Sequence, residues 1–185
     1  MINFEKKLII PSEIKVEFID NFYRISGKKG YIDYILNKNL SINLFSDYLL
    51  IYFDKDKIKK KEVIKIASIL NTNYIILKNH FYGVTNLYSS FLSLVGIGYK
   101  AKYDSNLHSI FLFLGFSKPI EIKVSNFILV EILDNVNIIL KSVSKELVGK
   151  TALEIKNKKK ADIYKGNGIR YKDEIIKFKS PKKSK

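Results

Sequence analysis

Phe91-Leu92-Ser93-Leu94-Val95-Gly96-Ile97-Gly98-Tyr99-Lys100-Ala101-Lys102-Tyr103 decides between two architectures. An apolar run leads into Gly96, Gly98 and Ala101 at the spacing of a dinucleotide-binding fingerprint, and Glu121 follows about 20 residues on, where an acid would hold a ribose. That fingerprint needs a helix directly after the glycines, because the helix N-terminus receives the pyrophosphate. Here only Lys102 and Tyr103 separate Ala101 from Asp104-Ser105-Asn106, a turn sequence, and Ile110 to Phe116 then alternates as a strand. There is no room for the helix. The stretch reads instead as one long strand of an antiparallel sheet, its glycines marking a bulge or a close backbone approach.

Short strands recur on both sides of this stretch. Ahead of it, Ile14, Val16 and Phe18 alternate with polar neighbours; Tyr23 and Ile25 follow, with Gly27-Lys28-Lys29-Gly30 as a turn. Leu40, Ile42 and Leu44 alternate next, and Tyr48 to Phe53 is a further apolar run. Period two over short segments broken by turns predicts an antiparallel meander. From Val63 the spacing changes: Val63, Ala67, Leu70, Tyr74 and Leu77 mark one face of a helix, with Lys59, Lys60, Lys61 and Lys65 on a solvated side near its start. Asn79 to Asn86, containing Gly83, reads as a linker. After the deciding stretch come strands around Ile120–Val124 and Val136–Leu140, then a helix from about Lys145 carrying Val148, Ala152 and Ile155.

Strands then helix, twice, predict an α+β protein: two tandem copies of a small antiparallel-sheet-plus-one-helix domain. The expected boundaries are 1–82, 83–163, and a basic C-terminal tail over 164–185. A short echo supports duplication: Pro11-Ser12-Glu13-Ile14-Lys15-Val16 and Pro119-Ile120-Glu121-Ile122-Lys123-Val124 share P-x-E-I-K-V.

The chain carries a formal charge of +15. From Lys156 onward there are 12 Lys/Arg against three Asp/Glu, so +9 of that excess sits in the tail region. Such an imbalance points to a polyanion, nucleic acid before an anionic membrane. There are no cysteines, which excludes a disulfide framework and thiolate metal sites. No apolar run reaches membrane-spanning length, so no membrane span is expected. Gly149-Lys150-Thr151 resembles the end of a phosphate loop, but Ser144 stands where that loop needs a glycine, and the segment reads as helix interior. His80 and His108 have no motif partners, and Asp54 with Asp56 read as a solvated helix start. No catalytic residue, metal site or cofactor is expected, and no small-molecule substrate.

The candidate functional stretch is Tyr164-Lys165-Gly166-Asn167-Gly168-Ile169-Arg170-Tyr171, which from composition alone reads equally as a surface turn between a helix and a polar tail. Lysine and arginine neutralise phosphates, tyrosine stacks on bases, and glycine admits another backbone, including a nucleic-acid one.

Several segments together resemble the bacterial-type large-subunit ribosomal protein L-six family. They are Ile10-Pro11 with the strand after it; Ser26-Gly27-Lys28-Lys29-Gly30; Gly83-Val84-Thr85; Leu94 to Ala101; Leu114-Gly115-Phe116-Ser117-Lys118-Pro119; and the octet 164–171. Their order spans roughly residues 8 to 180. The resemblance implies a non-catalytic protein that binds large-subunit rRNA through its second domain and tail, near the sarcin–ricin loop on the factor-binding side, among neighbouring large-subunit proteins. It implies an rRNA-binding set of Lys156, Lys158, Lys159, Lys160, Tyr164, Lys165, Gly166, Asn167, Gly168, Arg170, Tyr171 and Lys172. Gly166 and Gly168 would lie against rRNA backbone, with Lys165 and Arg170 on phosphates and the tail ordering as it threads between RNA segments.

The chain departs from the family pattern in places. The stretch Lys158 to Ile163 has no proline, Asn167 replaces a usual lysine, and Lys118 a usual histidine. Ser142 and Ser144 stand where glycine and aspartate are typical. Arg24 and Arg170 are the only arginines amid abundant Lys, Asn, Ile and Tyr. With no transit-like N-terminus, that bias favours a mitochondrial ribosome and synthesis in the organelle; a plastid or a bacterial cytoplasm is the alternative. The alternative function is a basic interaction module for an anionic membrane surface or an acidic protein partner. Against it, Gly166 and Gly168 interrupt any apolar helical face after Ile163.

Overall fold

The computed structural model describes residues 5–37, 40–53 and 63–180. Lys59, Lys60 and Lys61, the Lys65 side chain, and Asp54 with Asp56 lie outside what it describes. The protein is α+β and forms two compact units, residues 1–87 and 88–185.

In the first unit, β1 (Glu5–Ile9), β6 (Tyr48–Phe53) and β5 (Leu40–Leu44) make one antiparallel sheet in the order β1-β6-β5. A second sheet is the meander β2 (Lys15–Ile19), β3 (Phe22–Gly27) and β4 (Gly30–Tyr34). The alternation puts Leu49, Ile51 and Phe53 of β6, and Tyr23 and Ile25 of β3, into the core. Helix α1 (Val63–Asn86) covers it with Leu70, Asn73, Leu77, Phe81 and Val84. The steps of three and four run straight through the segment expected to be a linker. Gly83 weakens helix propensity, but packing overrides it. The Val84 carbonyl accepts the Lys29 amide at 2.9 Å, and a Cβ on Gly27 would lie 2.8 Å from that same oxygen. The unit therefore ends after residue 87.

A buried polar group sits inside this core. Tyr34 Oη donates to Asn73 Oδ1, and Asn73 Nδ2 donates to the Ile69 carbonyl at 2.7 Å. The His80 ring meets Tyr34 edge-on at 5.6 Å, and its Nδ1 has no hydrogen-bond partner among the described residues. Burial pushes Tyr34 up to about 12 and His80 down to about 4.

The second unit repeats the plan. A meander of β8 (Lys100–Asp104), β9 (Ser109–Phe113) and β10 (Ile120–Lys123) faces a four-stranded antiparallel sheet. That sheet has the order β11 (Leu129–Leu133), β12 (Asn137–Ser142), β7 (Tyr88–Val95), β13 (Gly168–Tyr171). The order β7-β12-β11 matches β1-β6-β5, and in each unit a helix follows these strands. Duplication is thus written in strand order. The P-x-E-I-K-V echo is not in register with it: Pro11–Val16 leads into the first meander strand of its unit, whereas Pro119–Val124 contains the third.

The long strand expected over Phe91–Tyr103 is two strands in two sheets. Gly96 (φ 158°) and Gly98 (φ 76°) make the turn between them, a backbone path that side chains resist. The Asp104 carboxylate closes the following hairpin by accepting the Asn106 amide at 2.9 Å. Helix α2 (Lys145–Lys158) packs Val148, Ala152 and Ile155 onto Leu92, Leu94, Ile138, Leu140 and Ile169. Ser144 caps it, accepting the Leu147 amide at 3.3 Å, so Gly149-Lys150-Thr151 is helix interior as expected.

Candidate nucleic-acid interface

The basic region begins where α2 ends. Lys156 and Lys158 occupy its last turn and Lys159 its C-cap, where cations meet the negative end of the helix dipole. Lys160 then bridges to Ile169 in parallel, and the Ile169 amide donates to the Lys159 carbonyl at 2.8 Å. This clamp ties the helix end to the start of β13 and encloses residues 161–167 as a loop.

Asp162 organises the loop. Its carboxylate accepts the Tyr164 amide at 3.1 Å and the Lys165 amide at 3.2 Å, and its carbonyl accepts the Gly166 amide at 2.8 Å. The Asp162 amide donates to the Asn167 carbonyl at 2.9 Å. Tyr164, Lys165 and Asn167 are consequently held outward and exposed on a small, internally bonded turn.

The two glycines play a different part from the one expected. Both are buried against their own chain rather than open to another backbone. A Cβ on Gly168 would strike Ala161 and Lys160 backbone, and one on Gly166 (φ 75°) would lie 2.8 Å from the Phe178 ring. The tail also departs from an unstructured thread. Gly168–Tyr171 is a sheet strand, and beyond it the Lys179 amide donates to the Ile163 carbonyl at 3.0 Å, so the chain folds back on the loop as far as residue 180.

The expected cations separate into two groups. Lys156 points inward: it pairs with Glu174 at 2.7 Å and lies 4.7 Å from the Tyr171 ring centroid. The Lys156 hydrogen bond, with help from the Tyr171 amide and nearby Arg170, holds the Glu174 carboxyl below its usual range. Lys158 makes a loose pair with Glu154 at 3.6 Å. Lys160 and Lys165 are exposed and carry no ion pair among the described residues. Lys159 sits 4.5 Å above the half-exposed ring of Phe116, and Lys172 lies 5.7 Å from that of Phe91. Arg170 and Lys172 stand on β13 itself or just after it. Phe116 and Phe91 are the residues sequence reasoning missed. Both read as apolar strand positions, and only the fold brings lysines over them.

Chemically, these are exposed ammonium groups at the helix end and turn, with Lys159 and Lys172 each against an aromatic ring, suited to phosphates and bases. No cluster of His, Asp and Glu able to hold a metal occurs among the described residues, and no described helix is long and apolar enough to cross a membrane.

Residues 95–172, which span this region, match the family model described as Ribosomal protein L6. The Large ribosomal subunit protein uL6 of Clostridium acetobutylicum is 34% identical over 177 residues, covering 95% of this chain and 94% of the relative. The chain belongs to the uL6 family. The proteins of the same name from Methylococcus capsulatus and Exiguobacterium sibiricum are each 32% identical, covering 94% and 98% of this chain and 94% and 97% of the relatives. The uL6 family is structural and not enzymatic, which agrees with the failure of every catalytic motif above.

Proposed function

We propose that this chain is a structural constituent of the large ribosomal subunit that binds large-subunit rRNA through its second unit and basic tail. The proposed location is near the sarcin–ricin loop on the factor-binding side, beside neighbouring large-subunit proteins, where it supports subunit assembly and translation. Family membership supports the ribosomal role. The observation that carries the RNA contact is the placement of exposed Lys160 and Lys165 on either side of the Asp162 turn, next to the end of a lysine-rich helix. In this reading Lys158, Lys159, Lys160 and Lys165 approach phosphates at the helix end and turn, beside Tyr164 and Asn167; Arg170 and Lys172 do so from the sheet face opposite α2, and Tyr171 packs on the core beneath Lys156. Gly166 and Gly168 shape the loop, and Lys156 braces Glu174 behind it. Binding is electrostatic and geometric: each neutralised phosphate releases counterions, and the folded turn sets the register.

The near-replacement of arginine by lysine, together with the Asn/Ile/Tyr-rich composition, supports a mitochondrial ribosome as the setting. The bacterial relatives above fit a bacterial-type ribosome of either kind.

The test is a sucrose gradient of lysate or purified mitochondria, probed for this chain with and without RNase. Co-migration with the large subunit that survives moderate salt and collapses with RNase is the expected result. A chain that stays at the top of both gradients overturns the reading and directs attention to membranes and acidic partners.

A further inference from the structure

The register of the four-stranded sheet places two rows of side chains on the face opposite α2. One row runs Glu131, Ile139, Phe91 and then Lys172, whose amide donates to the Phe91 carbonyl at 3.1 Å. The other runs Leu133, Asn137, Ser93, Arg170. Cross-strand neighbours on one face stand about 5 Å apart, so these side chains form one continuous surface. The surface is concave, and its groove is lined by Phe91, Ser93, Leu133, Asn137, Arg170 and Lys172. It is also open: Phe91 is 43% exposed and Leu133 51%.

The groove has the parts a nucleotide needs. Phe91 offers a flat ring for stacking. Asn137 and Ser93 can each give and take hydrogen bonds with a base edge. Arg170 and Lys172 supply positive charge on the β13 side. Among the described residues no acid lines the groove, whereas Arg170 and Lys172 do; of the flanking acids, Glu131 is bound by Lys141 at 2.7 and 2.8 Å and Glu174 by Lys156, while Asp134 and Asp173 stand exposed beyond its ends. The net charge of the groove is therefore positive, which favours a polyanion over an apolar protein segment as its occupant. Antiparallel sheets with exposed aromatic side chains are a recurrent platform for unpaired RNA bases.

We propose that this open sheet face takes an unpaired RNA base, stacked on Phe91, with its flanking phosphates on Arg170 and Lys172. The proposal rests on the RNA-binding reading above and adds to it a second contact, one that reads a single-stranded nucleotide while the lysines at the helix end and turn hold backbone.

The test uses the full-length chain with two probes: a single-stranded RNA of about ten nucleotides carrying 2-aminopurine, and a duplex RNA of about 16 base pairs. The single strand should bind with quenching of the 2-aminopurine fluorescence. Phe91→Leu should weaken it about 5- to 150-fold and abolish the quenching, Phe91→Tyr should retain both, and duplex affinity should be the same in all three proteins. Lys160→Ala with Lys165→Ala should weaken both probes. If Phe91→Leu binds the single strand as wild type does while the lysine variant is weakened, the base site is overturned and the lysine contact stands. If Phe91→Leu spares RNA but loses a neighbouring ribosomal protein, the face docks protein and the base site is again overturned. If wild type binds neither probe, both readings fall. Because Phe91 is half exposed, circular dichroism of Phe91→Leu should match wild type, which keeps any loss of binding interpretable.

Discussion

A Cβ placed on Gly168 would lie 2.5 Å from the Ala161 Cα, closer than any real pair of carbons packs. Gly168 also holds φ at 148°, and its neighbour Ile169 is fully buried. Gly168→Ala must therefore push β13 away from the helix end or strain both. The expected cost is about 2 kcal/mol or more, seen as a drop in melting temperature of roughly 10 °C for the second unit. An unchanged melting curve would show that the loop moves aside freely.

Gly149 is the opposite case. It sits within α2, exposed, with open space where a Cβ would go. Gly149→Ala should stabilise the protein by about 0.5–1 kcal/mol, because alanine loses less backbone freedom in a helix. Denaturant midpoints of the two proteins check this directly, and a lower midpoint would contradict it.

Asp162 holds the exposed turn together with its carboxylate. Asp162→Ala should cost only about 1–2 kcal/mol of stability, since the turn is solvent-exposed, but should free Tyr164 and Lys165 from their fixed positions. Hydrogen exchange at the amides of Tyr164 and Lys165 should rise well before that of β13. Equal protection in variant and wild type would place the ordering of the turn elsewhere.

The separation of the lysines predicts two kinds of variant. Replacing Lys160 and Lys165 with alanine should lower the slope of log affinity against log salt by about 1.5 for large-subunit rRNA, with little change in stability. Lys156→Ala should do the reverse: it leaves Glu174 without its partner, costs about 1–2 kcal/mol, and leaves the slope nearly intact. A salt slope that falls equally in both would mean that Lys156 also reaches phosphate.

His80 sets a pH dependence in the first unit. Its native pKa lies near 4, below the ordinary value of 6.5, so between those values the unfolded chain binds a proton the native state refuses. Stability is complete above pH 6.5, falls as pH drops toward 4, and levels off below. The loss is at most about 3 kcal/mol. His80→Phe should remove this part of the profile. If stability from pH 7 to 4.5 is identical in the two proteins, the ring finds a partner when protonated.

The α+β class, the turn residues and most strand positions follow from alternation in the chain, as Leu49-Ile51-Phe53 and Ile110-Leu112-Leu114 illustrate. What escaped local reading was decided by tertiary contact. In β11 burial alternates but polarity does not, because Leu129 and Leu133 are apolar yet exposed. The end of α1 looks like a linker until Val84 is seen against the β3–β4 turn. β13 is four residues long and opens on glycine; it is a strand because β7 offers it an unfilled edge. In the candidate interface, the lysines were legible from charge, but their division into inward and outward groups depends on Glu174, Phe116 and Phe91, which lie far from them in the chain.

The pairing of β13 with β7 also fixes when the second unit can be finished. A nascent chain that has released β7, β12 and α2 still shows a bare strand edge and lacks Ile169, a fully buried member of the core. Both deficits end in the same step, when residues 168–171 emerge. A premature stop shortly before Gly168 would remove only about a tenth of the residues, yet it would leave a sticky, incomplete sheet and expose the truncated product to aggregation and proteolysis.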